Sequence, residues 1–435
     1  MLAAGPAAAE APRLPTDPGL ARLIEESLAA RPELAQALAT AKAERERVPQ
    51  VGAWPEPMLQ LGVQNDGFTS WEVGKMETSF YSIMASQTFP WPGKLRLRSE
   101  VAELGAAQAD QDVARARLSV EADVRRAWLG LVVARDRLAL LERLEAVWQK
   151  SAAVARTRYE AGEGAQSDLL RAQLELNRIA QRRWALEGEA ASRRQELNRL
   201  RGHPLDEPIE PETHVVDLGL PALREAAGVL QDALERSPEL AAARLGLTQA
   251  ERSTALAHRS YFPDVTLGLA VMPRGGDFPP MWQVTLGAPI PVFAGSRQGP
   301  AVAESEARAA SRLKNAEAVE QVLRLRVRQR QTALAIALET LRLFRDGLLL
   351  QSEATVESTL AQYEVGKVTF ASVLEANAGF LADQESHLLA SAQAHQLEIE
   401  AAEVSLAAVG APGQAMGTSA MPGAAPAGAG APSGM

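Results

Sequence analysis

The 435-residue chain contains no cysteine. That absence removes disulfide frameworks, Cys-ligated zinc or iron–sulfur centres and thiol catalysis. Histidine is scarce as well: the five residues stand at 203, 214, 258, 387 and 395, with no pair at a metal-ligand spacing. His387 and His395 lie eight apart in a helical stretch and are expected to be solvated surface residues. Six lysines face 39 arginines, and a net charge of −9 excludes a sequence-independent grip on nucleic-acid phosphates. No run of 18 apolar residues exists, so no membrane-spanning helix is available. Gly162-Glu163-Gly164 follows a helix rather than a strand and reads as a turn, not a phosphate loop. No Ser/His/Asp set has usable spacing, and the Met and His positions show no relay of soft metal ligands. The chain therefore reads as a non-enzyme without a cofactor.

What is present is a duplication. Pro32-Glu33-Leu34-Ala35 returns as Pro238-Glu239-Leu240-Ala241, and Tyr159-Glu160-Ala161-Gly162 returns as Tyr363-Glu364-Val365-Gly366. Phe89-Pro90-Trp91-Pro92-Gly93 is echoed by Ile290-Pro291-Val292-Phe293-Ala294-Gly295. A period near 205 residues is too long for a solenoid and marks two related halves. The first is expected over 17–201 and the second over 222–410. An acid- and proline-bearing linker (202–221) joins them, with disordered ends at 1–16 and 411–435. The small residues near the start fit either a disordered tip or the end of a secretory signal.

Each half is expected to run helix, two short strands, very long helix, turn, long helix. The long helices are placed at about 94–160, 167–201, 297–364 and 370–409. Val120, Val124, Ala127, Leu131, Ala134, Leu138 and Leu141 form a strict 4-3 seam, and Val327, Leu334, Leu341 and Leu348 repeat every seven. Such rods, with a narrow seam and a charged remainder, need neighbours.

The strands, at about 58–65, 80–89, 264–272 and 281–290, alternate strictly. Leu59, Leu61, Val63, Tyr81, Ile83, Leu267, Leu269, Val284 and Leu286 fall on one face, and Gln, Ser, Thr and Gly dominate the other. Residues 54–91 and 261–293 also hold 12 of the 20 aromatics, mostly at strand ends. Alternation with aromatic girdles fits a membrane strand with lipid outside and water inside; a half-buried β-sandwich shares the pattern. Four strands cannot close in a bilayer, because edge N–H and C=O groups would face hydrocarbon. Several chains must then share one barrel, and the same association would bring the rods together into a duct. A soluble or surface coiled-coil interaction protein with a small β-domain is the other reading.

The duplicated order, the paired Tyr-Glu-x-Gly turns and the stretch from Ser86 to Lys94 that leads into the first long helix resemble the TolC-type outer membrane efflux proteins. The Gln87-x-x-Pro90-x-x-Gly93-Lys94 form is most similar to the CzcC/CusC heavy-metal branch. The resemblance spans about 20–410. It implies a mainly α fold with a membrane β part, in which a homotrimer builds a twelve-stranded barrel in outer membrane lipid and a periplasmic helical tunnel. It further implies substrate delivery by a periplasmic adaptor and an RND-type inner-membrane pump, with heavy-metal cations as the favoured cargo. Tyr159, Gly162, Tyr363 and Gly366 would then be adaptor-docking turns, and Asp168, Ser372 and Glu375 would line the constriction. Ser167, Asp168 and Ser372 are also expected to cap the returning helices, with Asp168 alternatively bonding Tyr363. The sequence departs from lipid-anchored members in having no cysteine to acylate, and from the family's paired acidic rings in having Ser372 at the first.

Overall fold

A computed structural model describes residues 18–408. The expected disordered ends, 1–16 and 411–435, lie outside the described residues. Each half opens with two helices rather than the single helix expected. They are α1 (Pro18–Ala30) and α2 (Pro32–Gly52), then α5 (Ala226–Arg236) and α6 (Pro238–His258). The break falls at the repeated Pro-Glu-Leu-Ala, whose proline has no N–H to donate and so fits only the first turn of a new helix. Ser237 adds a cap by accepting from the Leu240 N–H at 3.3 Å.

Strands β1 (Met58–Gln64), β2 (Phe80–Phe89), β3 (Val265–Met272) and β4 (Met281–Gly287) form one antiparallel sheet in the order β1-β2-β3-β4. The two outer strands stop short of the expected ends. Past Gln64, Asn65 turns the chain by donating to Gly67 and Ser70 carbonyls, and past Gly287 two prolines interrupt any ladder.

The rods are α3 (Lys94–Glu160), α4 (Gln166–Leu200), α7 (Gln298–Leu343), α8 (Leu349–Glu364) and α9 (Phe370–Glu403). At 1.5 Å per residue α3 alone runs about 100 Å. Its 4-3 seam is buried apart from half-buried Leu138, but over 127–134 so are Trp128, Leu129, Val132 and Val133. Helices α1, α4 and α9 and the linker enclose that stretch, so the charged, exposed remainder expected of a narrow seam is absent there.

A single helix over 297–364 is corrected to α7 and α8 joined by a π-helical turn, Phe344–Leu348. The physical reason is phase. Val327 and Leu341 are buried fourteen apart, whereas beyond the turn the buried residues are Val356, Leu360 and Tyr363, one position later than a continued heptad. The wide turn absorbs that one residue and keeps the apolar seam facing its neighbour.

Helix α9 ends at Glu403 instead of near 409 because Val404 adopts φ 54° and breaks the helical backbone. Arginines fix the turn: Arg126 binds the Glu403 carboxylate at 2.7 Å, Arg330 donates to the Ser405 carbonyl, and Arg326 donates to the Leu406 carbonyl at 3.2 Å.

The two helix histidines are not solvated. His395 is 1 % exposed, on a buried stripe with Leu388, Ala392 and Ile399 that the eight-residue spacing alone does not reveal. His387 packs edge-on against Phe344 at 6.0 Å, and burial holds its pKa below the ordinary histidine value. The linker crosses α3, where the Val215 N–H donates to Asp136 at 2.7 Å and His214 Nδ1 lies 2.8 Å from the same carboxylate.

Candidate functional site

Two regions carry the geometry that a duct needs: the sheet and the far end of the rods. Across the sheet the register aligns Leu61 with Ile83, Val63 with Tyr81, Ala85 with Leu269, Leu267 with Leu286 and Leu269 with Val284. All nine residues singled out in the strands therefore share one face. That face is uncovered: Leu59, Leu61, Leu269, Val284 and Leu286 are each more than half exposed. Aromatics gather at both ends of the strands. Trp54 meets Phe89 at 5.7 Å and Trp91 stacks on Phe262 at 5.0 Å near the helices, while Trp71 lies 6.2 Å from Tyr81 at the loop end. None of the described helices is long and apolar enough to cross a membrane.

The motif between strand and rod is a junction. Gly93 takes φ 89° and starts α3, which sends Lys94 back toward β3. Lys94 Nζ donates to the Phe262 carbonyl and to Asp264, both at 2.7 Å, and the Trp91 N–H donates to the same carboxylate at 2.8 Å. Burial alone would raise the Asp264 pKa, but these donors hold it below the usual carboxylate range. Gln87 ties the end of β2 to the Pro55 carbonyl at 2.7 Å. The Gln-x-x-Pro-x-x-Gly-Lys stretch thus locks the sheet to the first rod.

At the other end, α3 and α8 finish identically. Gly162 (φ 75°) and Gly366 (φ 72°) each follow a pair of crossed backbone bonds. The Glu163 and Lys367 N–H groups reach back to Arg158 and Gln362 carbonyls at 2.9 Å, and the glycine N–H groups to Tyr159 and Tyr363 carbonyls at 3.0 Å. This is a Schellman ending, which needs a residue that tolerates the left-handed region. The returning helices are not capped as expected. Their N-caps are Ala165 and Thr369, and neither makes a side-chain cap bond. Ser372 Oγ pairs with Thr369 Oγ1 at 3.3 Å, and the Asp168 carboxylate is engaged elsewhere.

That engagement joins the two hairpins. Tyr363 Oη donates to Asp168 Oδ2 at 3.2 Å, and the Arg158 guanidinium sits over the Tyr363 ring at 5.0 Å while donating to the Tyr363 carbonyl. Tyr363 is 3 % exposed and packs with Ala155, Ala172, Leu360, Phe370 and Val373. Burial first, and the Asp168 charge second, push its pKa up to about 12. One turn further in, Asn377 donates to the buried Ser151 Oγ at 3.1 Å. The structure thus unites Asp168 and Tyr363, while Tyr159, Gly162, Gly366 and Glu375 stand exposed around them and Ser372 is half-buried.

Sequence reasoning missed Arg158. Its counterpart under the repeat is Gln362, so reading the halves as copies averages it away. It also missed Asp264, whose only sequence signal is a carboxylate just ahead of β3.

The sequence matches the family model described as outer membrane efflux protein over residues 23–203 and 229–404. The chain belongs to that family. Its two matched segments are the two halves described above. Comparison with curated proteins returns no match. Among solved structures, a membrane protein from Pseudomonas aeruginosa is similar at TM-score 0.77 and 18% identity, covering 92% of this chain and 99% of that one. The open-state MtrE outer membrane channel of Neisseria gonorrhoeae reaches TM-score 0.74 at 16% identity, covering 92% and 97%. CusC, described as forming a transmembrane channel, reaches TM-score 0.72 at 18% identity, covering 89% and 92%. The fold is therefore that of the TolC-like outer membrane channels, whose β-barrel is trimeric. The outer membrane efflux protein sits in the outer membrane with its rods in the periplasm and serves as an efflux duct. Channels of this kind generally work with periplasmic adaptors and inner-membrane pumps.

Proposed function

We propose that three copies of this chain close a twelve-stranded barrel and a helical tunnel that passively carries cargo handed over by a periplasmic adaptor and an RND-type pump. The observation that supports this most is the four-stranded sheet: its apolar face is bare and its edges, β1 and β4, have no partner strand among the described residues. Pairing β4 of one copy with β1 of the next satisfies both edges and turns the bare face to lipid. The chemistry is passage rather than catalysis, and the pump supplies the energy. Purified protein is expected to be a trimer that conducts in planar bilayers and keeps its β-structure only in detergent or lipid. A detergent-free monomer with full β signal would overturn this.

Tyr159, Gly162, Tyr363 and Gly366 mark the turns that meet the adaptor. A Cβ added at Gly162 touches nothing within 4 Å, whereas one at Gly366 meets Arg158 at 3.1 Å. Gly162→Trp is therefore expected to abolish efflux through a lost docking surface, at a local backbone cost of about 1–2 kcal/mol, with trimer and conductance intact. Gly366→Trp should also change conductance, because Arg158 must move. Loss of assembly in the Gly162 variant would make that turn structural only.

Asp168, Ser372 and Glu375 form the constriction in this reading. Glu375 is exposed in one protomer, and three copies around an axis would attract cations. Glu375→Gln is expected to lower cation selectivity and divalent-ion block in bilayers. Unchanged selectivity and block would place Glu375 on an outer solvated face. The Gln87–Lys94 stretch supports a metal cation as cargo, by its likeness to the heavy-metal branch.

A further inference from the structure

Methionine is apolar, so on a membrane strand it is at least as well suited to the lipid side as to the water side. The register puts it on the water side throughout. Of the methionines among the described residues, four lie in strands, at 58, 84, 272 and 281, and all four share the face opposite Leu61, Ile83, Leu269 and Val284. Along that face the side chains form rows. Met58 opposes Ser86, which opposes Gly268, which opposes Thr285. Two residues on, Gln60 opposes Met84, which opposes Ala270, which opposes Gln283. Two residues further, Met272 opposes Met281 directly. Successive rows are about 6.7 Å apart along a strand. Every one of the three carries a thioether, from the helix end of β1 to the loop between β3 and β4.

The rest of that face excludes the usual ways to hold a cation. No strand residue is charged, so no carboxylate is available there. The remaining polar groups are neutral amides and hydroxyls, which are hard donors. A thioether is a soft donor that selects ions such as Cu(I) over hard cations. Met58 is exposed and the other three are half-buried, so none of the four side chains is sealed from the wall surface. Met272 and Met281, directly opposed, have Cβ atoms about 4.5–5.5 Å apart, close enough for two sulfurs to share one ion. The other rows offer single thioethers per chain, and conduction requires such weak, multiple sites.

We propose that the inner wall of the barrel is a ladder of thioether sites for soft monovalent cations, tightest at the Met272–Met281 pair. It rests on the reading of this sheet as the duct wall, and it supplies the soft-ligand relay that the linear spacing of Met does not show.

The test uses the full-length trimer with Ag⁺ as the probe, in nitrate salts free of chloride and thiols. In bilayers, Ag⁺ is expected to reduce the potassium current of the wild type at concentrations at least tenfold below those needed for a variant combining Met58→Leu, Met84→Leu, Met272→Leu and Met281→Leu. Met272→Leu with Met281→Leu alone should give most of that shift. Met76→Leu, in the loop between β1 and β2, should give none. Leucine preserves apolar volume, and the Ag⁺ block of each channel is read as a fraction of that channel's own potassium current without Ag⁺. Equilibrium dialysis of the detergent-solubilised protein, counting bound Ag⁺ by mass spectrometry, should show fewer ions on the fourfold variant. Equal Ag⁺ sensitivity and equal bound Ag⁺ in wild type and variant overturn the ladder while leaving the duct standing. Met-dependent Ag⁺ binding by a protein that forms no channel overturns the duct and keeps the ladder.

Discussion

Leu61→Arg is expected to prevent stable insertion, whereas Gln60→Arg, one residue away, is expected to be tolerated. Leu61 lies opposite Ile83 on the bare apolar face and is 70% exposed in one protomer; Gln60 lies opposite Met84 on the polar face. An arginine facing lipid costs about 2–4 kcal/mol near the midplane. Three copies of that cost fall on one barrel, about 6–12 kcal/mol in all, which is comparable to the whole net stability of a typical domain. A lumen-facing arginine remains in water and costs little. The same contrast should hold between Leu286→Arg and Thr285→Arg on β4. The measurement is the yield of heat-resistant trimer in outer membrane fractions. Equal yields from both members of a pair would show that neither face meets lipid, and a higher yield from the leucine-replacing variant would show that the faces are the reverse of those assigned.

Asp168→Ala and Tyr363→Phe are each expected to raise the single-channel conductance or open fraction of the isolated trimer. A hydrogen bond to a charged group contributes about 1.5–3 kcal/mol net, so its loss shifts the closed-to-open ratio by roughly tenfold to a hundredfold per protomer. Asp168 is not a helix cap here, so a purely local stability loss is not the expected outcome. Arg158→Ala should act in the same direction, because it removes the cation over the Tyr363 ring and the donor to its carbonyl. The pH dependence has a definite sign. Tyr363 has its pKa raised from 10 to about 12 where it is buried against Asp168. The stabilisation is therefore full below pH about 10 and is lost as pH rises through about 12. Conductance should climb across that alkaline window and stay flat below it on account of this group. Tyr363→Phe should lack the climb. A wild type with no alkaline opening, or an Asp168→Ala channel indistinguishable from wild type, would show that the Tyr363–Asp168 bond does not hold the tunnel closed.

Much of the architecture is legible in the amino-acid sequence. The period-two alternation of the strands and the seven-residue spacing of Val327, Leu334 and Leu341 are direct projections of element geometry onto sequence, so the sheet faces and the rods can be read off. The paired Tyr-Glu-x-Gly turns announce left-handed glycines because glycine takes that backbone without the strain a Cβ brings. What escapes reading depends on contacts distant in sequence. Lys94 meets Asp264 across 170 positions and Arg158 meets the Tyr363 carbonyl across 205, and no local pattern encodes either. The π-turn escapes because a one-residue phase slip looks, in a linear string, like two unrelated heptad runs. The methionine ladder needs the strand register, since positions 58, 84, 272 and 281 share nothing but a face.

The wide turn at Phe344–Leu348 also makes the two rods mechanically unlike. Helix α3 runs its whole length as one unbroken spring of i to i−4 bonds, whereas the α7–α8 rod has one coil of poorer geometry, about 24 Å short of its tip. Torque applied at the hairpins therefore meets different torsional compliance on the two sides. The unbroken α9 runs past that coil and meets it through His387 against Phe344, so α8 is the segment with the least continuous backbone support between the π-turn and the hairpin.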